Sequence, residues 1–231
     1  MKGFIRNQMD GMAEESYAVF QKKLVFTSLP VEGIRIPRLR ALVSAAGEDE
    51  RRAFMDGCEF SSYEEVLVYG FCAGKIREKE KLKKEIDFLL PHFDNWAHVD
   101  CVTASLSAIK RDRDFFLGAY SGLAGAEGEF YKRFLAVMLM DFYLDEKYVS
   151  VVADIYAGIK QGLYYTDMAI AWGLSVMLVK FPEIAFPLLE RGVFSDFVTL
   201  KAIQKAIESR RISEDMKLRL RAVKNGFKAL K

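Results

Sequence analysis

Cysteine and histidine are scarce, with three and two residues in a chain of 231. Cys58, Cys72 and Cys101 stand 14 and 29 positions apart, which matches neither a disulfide framework nor a C-x-x-C metal or redox motif. Reduced thiols are expected. His92 and His98 form neither the H-E-x-x-H nor the H-x-E pattern that zinc hydrolases and deaminases use, so neither a metal nor another cofactor is expected. Proline is also sparse, at five residues, which argues against a disordered or collagenous chain. No uninterrupted apolar run approaches the length of about 18 residues that a membrane span needs. The start, Met1-Lys2-Gly3-Phe4-Ile5-Arg6-Asn7, has no apolar h-region. These absences lead to the expectation of an ordered, soluble, cytoplasmic protein with no membrane partner and no obligate protein partner.

What is present is helical periodicity. Hydrophobic residues make up 51% of the chain and charged residues 29%. The apolar positions recur at helical spacing nearly throughout, and no stretch alternates convincingly as a strand. The chain reads as all-α and as one domain over residues 1–231. An amphipathic helix is expected over about 13–28, carrying Tyr17, Phe20, Leu24 and Phe26. Pro30 and Gly33 follow as a break, and Pro37 opens a helix to about Ala46. A short helix covers about 48–57, and Ser62-Tyr63-Glu64-Glu65 reads as a capping box for the next. A helix over about 78–90 stops at Pro91, and its run Lys79 to Glu85 reads as an exposed face laced with ion pairs. Further starts lie near Asn95, Asp112, Glu127, Asp145, Tyr164, Pro182, Ser195 and Ser213. The first helices of successive pairs begin near 62, 95, 127, 164 and 196, a repeat of roughly 32 to 37 residues without literal repetition. This predicts a HEAT-like helical-repeat solenoid, an α-α superhelix. Its concave surface is lined by one helix of each pair.

Charge is unevenly placed. Residues 201–231 hold ten Lys or Arg against three acids, a net +7, which leaves −5 for residues 1–200. Such asymmetry suits a polyanion, although a solvated helical face has the same composition. Within Asp94-Asn95-Trp96-Ala97-His98-Val99-Asp100, Asp94 or Asn95 serves as an N-cap, and Trp96 and Asp100 share one helix face four residues apart. Taken alone, that pair reads more readily as a packing aromatic beside a structural acid than as a ligand site. Trp172, in an apolar helix with Ala169, Ile170, Leu174 and Val176, also admits a core role. Met138, Met140, Phe142 and Tyr143 read as core. His98 and Cys101 lie three apart, but nothing argues for a depressed thiol pKa.

Several segments, taken in order, resemble the DNA alkylation repair family of HEAT-like DNA glycosylases, of the AlkC/AlkD type, from about Tyr17 to Arg221. They are Gly33-Ile34-Arg35-Ile36-Pro37-Arg38-Leu39-Arg40, Tyr63-Glu64-Glu65-Val66-Leu67, Asp94-Asn95-Trp96 with Asp100, Lys132-Arg133, Ala169-Ile170-Ala171-Trp172-Gly173-Leu174, and Lys205-Ala206-Ile207-Glu208-Ser209. The resemblance implies excision of N3- and N7-alkylated purines from duplex DNA. It implies that Asp100 is the catalytic carboxylate, that Trp96 and Trp172 line the lesion-facing cleft, and that Arg133 contacts the backbone near the lesion. Lys132, Lys201, Lys205, Arg210 and Arg211 would extend a phosphate track along a concave basic groove. One departure stands out: family members commonly carry W-x-L-R, whereas this chain has Trp172-Gly173-Leu174-Ser175. The other reading is a non-catalytic helical-repeat module that binds nucleic acid or protein.

Overall fold

The computed structural model describes residues 3–229, and among them it has fourteen α-helices and no strand. In chain order these are α1 (Phe4–Asp10), α2 (Glu15–Lys22), α3 (Ile36–Ala45), α4 (Glu48–Asp56), α5 (Tyr63–Ala73), α6 (Lys79–Leu89) and α7 (Trp96–Thr103). Then come α8 (Arg113–Tyr120), α9 (Glu129–Phe142), α10 (Val149–Gly158), α11 (Tyr164–Lys180), α12 (Pro182–Glu190), α13 (Asp196–Glu208) and α14 (Glu214–Ala229). The expected first helices near 62, 95, 127, 164 and 196 correspond to α5, α7, α9, α11 and α13. The chain forms two compact units, one ending at Phe116 and the other starting at Leu117, with the division inside α8.

In the first unit α5 packs between α3 and α7, with α6 beside it. This stack closes on Leu39, Val43, Val66, Leu67, Val99 and Val102, all at most 1% exposed. Every residue of α5 is buried, so it forms the centre of the unit rather than an amphipathic surface helix. Close approach of α5 to α7 needs Gly70, because a Cβ there would overlap the Val102 side chain. In the second unit α11 packs between α9 and α13, with α12 against α11 and α14 against α13. Its core includes Phe134, Leu135, Met138, Tyr143, Ile170, Leu174, Met177 and Ile203. Met140 and Phe142 are buried too.

Three local expectations are revised. The helix expected over 13–28 is only α2, and Phe20, Leu24 and Phe26 are surface residues, Phe26 at 79% exposure; Ala18, Gln21 and Val25 are what the segment buries. The capping box at α5 is shared over one more residue: the Ser62 side chain accepts from the Glu65 amide at 3.3 Å, while Glu65 Oε2 accepts from the amide of Ser61, not Ser62. On α6 the ion pairs Lys81–Glu78 and Lys83–Asp87 form as expected, but Glu85 is buried and accepts the Tyr69 hydroxyl at 2.5 Å.

Candidate functional site

The first unit carries Trp96 and Asp100 on α7. Asn95 is the N-cap, and its side-chain oxygen accepts from the amides of Ala97 (2.9 Å) and His98 (3.0 Å). Asp94 locks that turn to the segment after α2: its Oδ2 accepts from Thr27 Oγ1 (2.7 Å), the Ser28 amide (2.9 Å) and Ser28 Oγ (3.2 Å). His98, wholly buried, stacks on Tyr63 and donates from Nε2 to the Tyr63 carbonyl at 3.0 Å, while Nδ1 faces Asn95 and Asp94. The Trp96 indole N–H donates to the Leu24 carbonyl at 3.1 Å, which sets the ring plane and leaves the π-face as the part of the ring that can recognise a ligand. Trp96 and Asp100 are both half-exposed, and residues 97, 98 and 99 between them are buried. The helix therefore presents one aromatic and one carboxylate on its wet face.

Burial alone would raise the Asp94 carboxyl, but the hydrogen bonds from His98, Thr27, Ser28 and Asn95 outweigh it and hold the pKa well below the usual carboxylate range. A depressed folded-state pKa means that this stabilisation is complete above the unfolded value of about 3.9 and is lost as the pH falls through it toward the folded value. Asp94→Asn is accordingly less stable than wild type near neutrality, and the gap closes in more acidic solution. Urea unfolding of both proteins across that range measures it; a gap independent of pH would refute this assignment.

Neither cysteine chemistry nor a metal centre emerges nearby. Burial pushes the Cys101 thiol up, away from the reactive thiolate, and His98 is committed to structural bonds. Among the described residues no group of His, Cys, Asp and Glu is placed to hold a metal ion, and no helix is long and apolar enough to cross a membrane.

The second unit carries the other candidates. Trp172, 37% exposed on α11, borders a cleft of about 310 Å³ together with Ser175, Val179, Lys205, Glu208 and Arg211. Two cations of the basic C-terminal region thus meet an aromatic face within one unit. Ser175 lies beneath the surface and donates its hydroxyl to the Trp172 carbonyl at 2.7 Å. Next to Trp172, Gly173 faces inward, where a Cβ would overlap the Tyr156 ring and hydroxyl. That hydroxyl in turn donates to the Ala136 carbonyl at 2.9 Å. Gly173→Ala should cost about 2 kcal/mol through overpacking, lowering Tm by about 6 °C in a chain of this size. Adding Tyr156→Phe should restore part of the loss; strict additivity in thermal melts of the double variant would refute the contact.

Lys132 and Arg133 lie elsewhere than a surface track. Lys132 is 1% exposed and Arg133 6% exposed. Arg133 Nη1 donates to the Tyr165 carbonyl at 2.7 Å, tying α9 to the first turn of α11. A side chain so enclosed presents no bidentate fork to a phosphate at the surface. Lys201 is half-exposed with its ammonium 5.8 Å from the centre of the Phe197 ring, and Arg210 is exposed in the turn after α13. Sequence reasoning missed Glu64. It is fully buried, and its carboxylate accepts from the backbone amides of Glu32 (2.9 Å), Gly33 (2.8 Å) and Ile34 (3.2 Å). Burial pushes its pKa up although the three amides pull it down. Two of the segments noted in the sequence, Gly33-Ile34-Arg35 and Tyr63-Glu64-Glu65, are therefore halves of one structural joint. No family model matches the chain, and no curated protein matches it.

Proposed function

We propose that the chain is a DNA glycosylase of the HEAT-like alkylation repair kind, with the helix pairs of each unit stacked as in helical-repeat proteins, acting on N3- and N7-alkylated purines in duplex DNA without a metal. The observation that carries this reading is the half-exposed Trp96 and Asp100 on one face of α7, with the indole held by its own N–H. An N3- or N7-alkylated purine is already cationic, so the bond from the sugar C1′ to nitrogen breaks with its electron pair leaving on a neutral base. Positive charge is left on the sugar. A fixed carboxylate stabilises that oxocarbenium-like species, orients the water whose oxygen adds to C1′ and accepts the proton which that water gives up. An indole face attracts the cationic base by about 0.5–2 kcal/mol, depending on how far water is excluded.

Trp172 with Lys205 and Arg211 supports contact of the second unit with the DNA backbone. Replacing both cations, Lys205→Gln with Arg211→Gln, should reduce the slope of log affinity against log salt by about 2, since each phosphate contact contributes about 0.9. An unchanged slope in fluorescence titrations of duplex DNA would remove both residues from the interface. The enzyme reading is tested by incubating the protein with methylated duplex DNA and quantifying freed 3-methyladenine and 7-methylguanine. No release above background would leave the second reading, a non-catalytic module that binds nucleic acid or protein. Burial of Lys132 and Arg133 and the serine at position 175 favour that alternative.

A further inference from the structure

The first unit has a cleft of about 220 Å³ at the C-terminal ends of α3, α5 and α7, lined by Arg40, Lys75 and Arg77 together with Ser44, Ser105 and Ser107. No acidic residue lines it. Four other arginines of the unit have carboxylate partners: Arg6 binds Asp10, Glu32 and Glu65, Arg35 and Arg38 bind Glu14, and Arg52 binds Asp56, whereas Arg51 and Arg111 donate to backbone carbonyls. Among the described residues no carboxylate lies within ion-pair distance of Arg40, Lys75 or Arg77. Lys75 and Arg77 also border a neighbouring cleft that does contain Glu48 and Glu78. Arg40 is the half-buried member and is rigidly held. Its guanidinium lies 4.3 Å from the centre of the Phe71 ring and donates to Ser105 Oγ (2.6 Å) and the Cys101 carbonyl (2.7 Å). The Lys75 ammonium donates to Ser44 Oγ at 3.1 Å. The Arg77 carbonyl accepts from Arg111 at 2.7 Å, which braces the segment after α5.

Part of this positive charge answers the helix ends. Three helix C-termini reach the cleft, each with roughly −0.5 charge: Arg51 answers that of α3 by donating to the Val43 and Ala46 carbonyls, and those of α5 and α7 together offset about one of the three cations. About two positive charges then remain in a small cleft with three hydroxyls, and this matches a doubly charged oxyanion better than a singly charged one. We propose that the Arg40–Lys75–Arg77 cleft binds a phosphate group in its dianionic, monoester form. Arg40 supplies its remaining N–H donors at the base, Lys75 and Arg77 supply charge at the rim, and the serine hydroxyls donate or accept as the ligand's protonation requires. Internucleotide phosphates, each with a single charge, fit it less well. The site requires neither base excision nor Asp100.

Calorimetric titration of the full chain with inorganic phosphate and with phenyl phosphate tests the site. Arg40→Gln also removes a link between α3 and α7, so the deciding variants are Lys75→Gln and Arg77→Gln, whose side chains are exposed. Binding of both ligands at millimolar concentration or tighter, weakened about tenfold by each variant with unchanged melting, is the expected result. Absence of binding, or binding that both variants retain, overturns it. If neither ligand binds but the variants weaken duplex DNA lacking terminal phosphates, the cleft is a backbone contact and the proposal also fails.

Discussion

Asp100→Asn should lower release of 3-methyladenine and 7-methylguanine from methylated duplex DNA by about 10²-fold or more, the usual cost of removing a fixed group that meets developing charge. The asparagine keeps the shape but has no charge to set against the oxocarbenium-like sugar. Asp100 stands on the half-exposed face of α7, outside the network that Asp94, Asn95 and His98 use to start the helix, and thermal unfolding of the variant, measured alongside, separates a loss of chemistry from a loss of fold. A loss in kcat/KM that comes from kcat, with DNA affinity maintained, is the signature of an interaction made in the transition state. Release that is the same in wild type and Asp100→Asn would end the assignment of Asp100 as the catalytic carboxylate. Trp96→Ala serves as the companion measurement. It should weaken discrimination between cationic and neutral bases while leaving Asp100 in place.

Glu64→Ala should be the most damaging single substitution to stability, at about 4 kcal/mol, or a fall in Tm of about 12 °C. Three backbone amides, those of Glu32, Gly33 and Ile34, lose their acceptor at once, and those of Gly33 and Ile34 are buried. Each bond to a carboxylate contributes about 1.5–3 kcal/mol, and the sum is moderated because the carboxylate's own desolvation disappears with it. The conformation being held is demanding: Gly33 sits at φ +83°, and a Cβ there would overlap the Glu14 carbonyl. Glu64→Gln provides the internal check. Its amide oxygen still serves Gly33 and Ile34, but its NH₂ then faces the Glu32 N–H, so the loss should be intermediate. Equal melting of both variants and wild type would show that the segment is held by packing alone.

Helix positions were legible in the sequence because apolar spacing, capping residues and prolines act within a few residues of one another. Ser62, Asn95 and Ser195 are N-caps with the expected side-chain bonds, and the first helices of the pairs start within about two residues of their expected positions. The segment after Tyr17 failed for the same reason. Aromatic residues at helical spacing mark a face but do not say whether anything covers it, and Phe20 and Phe26 remain at the surface.

For the candidate site, the sequence by itself determined the face shared by Trp96 and Asp100, since positions four apart on a helix point the same way. It also determined the basic character of the C-terminal end. Tertiary structure alone decided which charges reach solvent. Lys132 and Arg133 are as polar in sequence as Lys205 and Arg211, yet the first two lie inside α9's packing against α11 and the latter two border Trp172. The fate of acidic residues was decided in the same way. Glu64 and Asp100 are both carboxylates within helices, but one is enclosed around three amides and the other is half-exposed, because burial and hydrogen-bond partners come from segments distant in the chain.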